Sequence, residues 1–302
     1  YGPTVAVDAL SFDVRPGSVT GFLGPNGSGK STTMRLILGL DRPDAGQVRV
    51  GGRRYRELRW PLREVGVLLE ARAFHPGRSA RSHLAALAAS NAIPRARVDE
   101  VLDMVGLASA AERRAGKFSL GMGQRLGVAA ALLGDPAVLL LDEPVNGLDP
   151  EGVRWIRNLL KSLAAQGRTV LVSSHLMSEM ALTAEQLIIV GMGRLIADIS
   201  ITELTRTSRH QVRVRSPEAA QLRELLAGPD VIITSAQAGV LEIDGVDSET
   251  VGRVAAQHGC VLYELVPGVV SLEAAFMELT SNDVEYRGTA AASLAGAGRN
   301  AR

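Results

Sequence analysis

The sequence predicts an α/β protein built on a parallel sheet, followed by a smaller α+β domain, and three observations lead there. The compact apolar runs "AVLLLDEP" and "TVLVSSH" flank a helical stretch, "EGVRWIRNLLKSLAAQG". That alternation is what βαβ units with parallel strands produce. Past Arg206 the order becomes strand "QVRVR", helix "EAAQLRELLAG", strands "VIITSA" and "VLEIDG", helix "SETVGRVAAQHG" and strand "CVLYELV". This is the βαββαβ order of a ferredoxin-like sandwich. Finally, 302 residues with 46% hydrophobic content are enough to bury more than one core.

Bulk charge and cysteine content exclude several functional classes. Lys plus Arg number 33 against 32 Asp plus Glu, so the net charge of +1 supplies no basic field for nucleic acid. No nucleic-acid partner is expected. A lone cysteine, Cys260, has no internal disulfide partner and fits a reducing compartment. The longest apolar runs, such as "AVLLL" and "LIIV", fall far short of the roughly 20 residues of a membrane helix. No signal peptide is visible, and an opening at Tyr1 without methionine leads to the expectation that a few residues precede it.

In chain order, "VAVDALSFDV", "SVTGFL" and "QVRV" read as short strands interrupted by a glycine loop and the helix "STTMRLILGL", which ends before Asp41 and Pro43. From about Phe74 to Arg114, Ala, Leu and Arg recur at helical spacing with a break at Pro94, predicting a helical insertion. "QLIIVGMGRLIADI" reads as one last strand-like run, and the pattern loosens near Arg206. The expected domains are therefore 1–205, with a helical subdomain at about 74–130, then 206–287. In the latter, the helix "SLEAAFMEL" follows the sandwich. The small-residue tail 288–302 has little to bury and is expected to be disordered.

Chemistry enters at "GPNGSGKST", placed between an apolar strand and a helix. A helix start leaves backbone N–H groups unpaired, and a glycine loop can turn its own N–H groups inward, so together they wrap a phosphate. Gly24, Gly27 and Gly29 supply the bend, and Lys30 places a compact charge on the β and γ phosphates. The Ser31 hydroxyl can ligate a bridging Mg²⁺. The chain has only three lysines, Lys30, Lys117 and Lys161, yet the loop keeps one. The expected nucleotide contacts are Gly24, Pro25, Asn26, Gly27, Ser28, Gly29, Lys30, Ser31 and Thr32. At the end of "AVLLLDEP", Asp142 and Glu143 stand at the carboxyl edge, where open α/β sheets bind ligands. Asp142 is expected to hold Mg²⁺ and Glu143 to act as general base toward water in line with the γ phosphate.

"NGLD", containing Asp149, and "SSH", containing His175, follow at short spacing, and "FSLGMGQRLGVAAALLGDP" precedes the Asp-Glu pair. With these, the chain from Tyr1 to about Arg206 resembles the ATP-binding cassette (ABC) ATPases of membrane transporters. Walker A loop, signature, Walker B strand, D-loop and switch histidine stand in that family's order. The resemblance implies the P-loop NTPase fold of the ABC type and ATP with Mg²⁺ as ligands. It also implies that His175 contacts the γ phosphate and that Tyr1 stacks on adenine. The signature aligns as Phe118, Ser119, Leu120, Gly121 and Met122, so Ser119 and Gly121 match the family pattern while Leu120 and Met122 depart from it. Asp149 falls in the D-loop. Where the family has glutamine after a strand, this chain has Glu70, which can coordinate Mg²⁺ but adds negative charge beside a triphosphate.

The family pairs two cassettes head to tail, and this chain has one of each motif, so the resemblance implies a homodimer. It further implies a separate integral-membrane permease, placing the chain in the cytoplasm on the inner face of the plasma membrane. "ARAFHPGRSARSHL" is the expected contact surface. The motif variants and the extra C-terminal domain are similar to ATPase subunits of ABC-2 type exporters of drugs, antibiotics or lantibiotic peptides. An importer ATPase or a soluble non-transport ABC ATPase is the alternative.

Overall fold

The computed structural model describes residues 4–207, 211–229, 231–267 and Phe276. The elements run β1 (Val19–Leu23), α1 (Lys30–Ile37), α2 (Pro61–Glu64), β2 (Val65–Leu68), α3 (Ala80–Ser90), α4 (Ala96–Met104), α5 (Leu120–Leu132), β3 (Val138–Asp142), α6 (Pro150–Ala165), β4 (Thr169–Ser174), α7 (Met177–Thr183), β5 (Gln186–Gly191) and β6 (Arg194–Ser200). They continue with α8 (Ile201–Thr207), β7 (Gln211–Arg215), α9 (Ala219–Leu226), β8 (Ile232–Gln237), β9 (Val240–Asp244), α10 (Ser248–Gln257) and β10 (Glu264–Pro267).

The first sheet has the order β2-β3-β4-β1-β5-β6, with β2, β3, β4 and β1 parallel. Strands β1, β4 and β5 are nearly continuously buried because both faces are covered, whereas β6 at the sheet edge is largely open to solvent. All five residues of β1 are buried, and Phe22, Met34, Leu140, Leu171 and Ile188 share one core cluster. Helix α6 begins as its sequence directs: Asp149 accepts a hydrogen bond from the Gly152 N–H, and Pro150 occupies the first turn, where its missing N–H costs nothing. Pro94 lies between α3 and α4, which form the expected helical insertion. Register then sets the site: β4 lies between β1 and β3, pairing Leu23 with Ser174 and Asp142 with Ser173.

The second sheet is wholly antiparallel in the order β10-β7-β9-β8. Helices α9 and α10 cover it through Val212, Val214, Leu222, Ile243 and Val251, giving the ferredoxin-like arrangement expected of the sequence. Cys260 is buried in this core as a free thiol. By internal contacts the chain divides into two units. One comprises the described residues up to His175 together with Leu187–Asp198, and the other comprises Leu176–Gln186 together with the described residues from Ile199 onward.

Two expectations about elements are corrected. Residues 5–14 and 47–50 are not ladder strands; only Val50 and Arg53 bridge, across the two-glycine turn Gly51–Gly52. Their alternation does pack Leu10, Phe12, Val14, Val48 and Val50 against the core, but alternation sets a buried face without supplying a partner strand. The run after Gln186 is two strands joined at Met192 (φ 46°) and Gly193 (φ 78°), the two positive φ values of a tight hairpin turn. Apart from Phe276, the helix expected at "SLEAAFMEL" lies outside the described residues, as does the tail 288–302.

Candidate functional site

The glycine loop leaves β1 at Leu23 and closes at Gly29, the N-cap of α1, in the left-handed conformation (φ 96°, ψ 5°). Only glycine fits here, because a Cβ on Gly29 would stand 2.4 Å from the Ala6 carbonyl oxygen. Gly24 is confined by close approach instead: its Cβ would fall 2.3 Å from the carbonyl oxygen of Val190. The hairpin turn braces the loop from below, since the Gly193 N–H donates to the Ser28 carbonyl at 3.1 Å.

Lys30 opens α1 with 8% of its surface exposed. Its ammonium donates to the carbonyls of Gly24 (2.6 Å) and Pro25 (3.0 Å), so the loop curls around its own cation. Burial lowers the Lys30 pKa, while Glu143 and Asp142 oppose that shift by favouring the charged form. Beside it lies a cavity of about 290 Å³ lined by residues 26–32, Ala6, Asp142 and Glu143. Glycines, hydroxyls, an ammonium and carboxylates make up almost all of that lining, which suits a charged phosphate chain more than a planar base. Within the loop, the buried Ser28 hydroxyl has no hydrogen-bond partner among the described residues.

Across the cavity the end of β3 presents its two carboxylates. Ser31 Oγ donates to Asp142 Oδ2 at 2.8 Å, and the Ser173 hydroxyl donates to Asp142 Oδ1. Hydroxyl and carboxylate oxygens are hard donors, and no cluster of three or more His, Cys, Asp or Glu able to hold a metal occurs among the described residues. A Mg²⁺ completed by water and substrate oxygens fits this donor set, which by itself is too small to cage a cation. Glu143 has φ 48°, and His175 Nδ1 lies 2.9 Å from each of its carboxylate oxygens. Its backbone N–H donates to Ser173 Oγ at 3.0 Å, and its carbonyl accepts from Gln124 Nε2 at 3.2 Å.

The structure thus brings together the loop residues, Asp142, Glu143 and His175. Ser119, Gly121, Asp149 and Glu70 do not line the cavity. Ser119 caps α5, accepting from the Met122 N–H at 3.2 Å, and a Cβ on Gly121 would stand 3.0 Å from the Gly147 carbonyl oxygen. Asp149 is the cap of α6 described above. Glu70 is exposed just beyond β2. Tyr1 lies outside the described residues. Within the expected contact segment, Arg81 is paired to Asp99 and Glu112. Sequence reasoning did not identify Ser173 or Gln124. The signal available was weak: each is a fully buried polar residue beside other polar ones, Ser174 and His175 in "VLVSSH" and Arg125 in "GQRLGVAAAL".

A family model described as "ABC transporter" matches residues 7–146, and a domain of unknown function matches residues 210–273. The bacitracin transport ATP-binding protein BcrA of Bacillus licheniformis is 41% identical over 69% of this chain and 69% of its own. The Nod factor export ATP-binding protein I of Paraburkholderia xenovorans (strain LB400) is 35% identical over 94% of this chain and 95% of its own. Among solved structures, the dimeric bacterial ABC transporter cassette MJ0796 matches with a TM-score of 0.61 at 25% identity, covering 66% of this chain and 91% of that one. The chain belongs to the ATP-binding subunits of ABC transporters and is an ATPase of that family.

Proposed function

We propose that this chain powers export of a small molecule or peptide through a separate ABC-2 type permease. It would work as a homodimer in the cytoplasm, on the inner face of the plasma membrane. The observation that carries the catalytic part is the meeting of the Glu143–His175 pair with the Ser31–Asp142 pair at the mouth of the glycine loop. The relative named for Nod factor export supports the direction of transport, and the one named for bacitracin transport supports a transport role.

In this reading Lys30 and the N–H groups of residues 26–32 bind the β and γ phosphates, compensating charge that water would otherwise solvate. Ser31 and Asp142 would hold Mg²⁺, which when bound neutralises charge on the same phosphate oxygens. Glu143 accepts the proton of an attacking water, and His175, 2.9 Å from that carboxylate, orients it and faces the γ phosphate. Each chain has one phosphate loop and one signature helix, so Ser119 and Gly121 at the start of α5 complete the nucleotide site of the partner subunit, with Asp149 nearby in the loop before α6. ATP then bridges two surfaces, and hydrolysis removes the bridge. Residues 1–205 form the cassette, and the C-terminal domain, 206–287, serves as an accessory or regulatory element. The segment 71–84 contacts the permease.

A Glu143→Gln chain saturated with Mg·ATP is expected to elute from size exclusion as a dimer and to return to monomer with ADP. A monomer under saturating Mg·ATP contradicts the shared-site reading.

A further inference from the structure

We propose that Gln124 and Ser173 are positioning residues for hydrolysis, holding the backbone of Glu143 in the conformation that aims its carboxylate at His175 and the phosphate cavity. This rests on Glu143 being the base and adds the two side chains that hold it there.

At φ 48° Glu143 occupies the left-handed region, which is strained for a non-glycine residue and persists only where surroundings impose it. Its two backbone polar groups each take a buried side chain, from two different elements. Ser173 of β4 is 0% exposed and accepts the Glu143 N–H at 3.0 Å. Gln124 of α5 is 1% exposed and donates to the Glu143 carbonyl at 3.2 Å. Ser173 does a second task, because its proton goes to Asp142 Oδ1, so one hydroxyl fixes the metal-side carboxylate and the backbone of the base together.

Gln124 gives the sharper indication. Its Oε1 is buried without a hydrogen-bond partner among the described residues, so the amide costs stability on one side while its Nε2 holds Glu143 on the other. A methionine of similar volume would pack there without the orphaned oxygen. The Glu143 carbonyl also accepts the Asn146 N–H within its own turn at 3.1 Å, so what the amide adds is the clamp that ties this turn to α5. With the clamp gone, the backbone of Glu143 can relax out of the left-handed region and the carboxylate moves away from His175.

The test uses the full-length chain with Gln124→Met, Ser173→Ala, Ser173→Thr and, as a control on the parent reading, Glu143→Gln. Steady-state ATPase assays give kcat and KM, and calorimetry with Mg·ATP gives affinity. In Gln124→Met, kcat is expected to fall about 10- to 100-fold, as misplacement of a catalytic group does, while Mg·ATP affinity stays within about twofold. Ser173→Ala should lose rate similarly, and Ser173→Thr, which keeps the hydroxyl, should recover most of it. Wild-type kcat in Gln124→Met, with Glu143→Gln inactive, overturns this inference alone; normal turnover in Glu143→Gln overturns the parent reading. A parallel loss of kcat and affinity in Gln124→Met marks a merely structural role and also overturns it. If Ser173→Ala does not fold, Gln124→Met decides.

Discussion

The two sheets of this molecule handle polar groups in opposite ways. In β3, β4 and β5 most residues are buried, so these strands have no face on which to keep a charge, and the chemistry collects where they end, at Asp142, Ser173, Ser174 and His175. In the C-terminal sheet, Val212 and Val214 point inward while Arg213 and Arg215 alternate with them toward solvent. Those arginines reach Glu264 only at 3.6 and 3.8 Å, whereas Ser31, Asp142, Glu143 and His175 are linked at 2.8–2.9 Å. Continuous burial concentrates polar groups into a tight, directional cluster; alternation spreads them over a solvated face where each contributes little.

The comparison breaks most visibly at the tight end. Lys30→Met removes the ammonium that holds the carbonyls of Gly24 and Pro25. Charge-assisted bonds to a phosphate are worth about 1.5–3 kcal/mol, so Mg·ATP affinity by calorimetry should fall roughly 10- to 100-fold. A smaller effect is expected at Glu70. Taking the negative charge from the exposed side chain with Glu70→Gln should lower the Mg²⁺ concentration needed for half-maximal ATPase activity by a few-fold, on the order of one nearby exposed charge; superimposable magnesium titrations contradict its participation. On the alternating sheet, Arg213→Ala should shift urea unfolding by no more than about 0.5 kcal/mol and leave kcat unchanged.

The smallest effect should come from His83 on α3, away from the cavity. Burial, and after it the charge of Arg78, hold its imidazole below the ordinary 6.5, so the unfolded chain binds the proton more readily. Stability from this residue is therefore intact above pH 6.5 and is lost as pH falls from there through the lower, folded-state pKa. Chemical denaturation between pH 5 and 7 should show a shallower acid-side slope in His83→Leu than in the native chain.

The parts legible in the sequence are those where one local pattern had one physical meaning. Glycines followed by a lysine between strand and helix pointed to a loop curled at a helix start, as Gly29 and Lys30 are, and the apolar runs of β3 and β4 ended at the residues that meet in space. Residues 5–14 and 47–50 misled because alternation records which side faces the core and says nothing of a partner strand. The β5–β6 hairpin was hidden because Met192, an unusual residue at positive φ, carries no turn signal. Ser173 and Gln124 escaped for a third reason: their roles come from strand register and helix packing, bringing residue 124 beside 143 and 173 beside 142, which no local spacing encodes. Tyr1, Ser119, Gly121 and Asp149 were singled out only through family resemblance. Of these, Ser119 and Asp149 also serve as helix caps in this chain.

Turnover of the Glu143→Gln chain, measured at saturating Mg·ATP beside its nucleotide affinity, tests the central claim most directly. With the general base replaced by an isosteric amide, hydrolysis should drop by about 10²- to 10⁴-fold, the usual contribution of such a group, while Mg·ATP still binds. Native turnover in that variant contradicts the account.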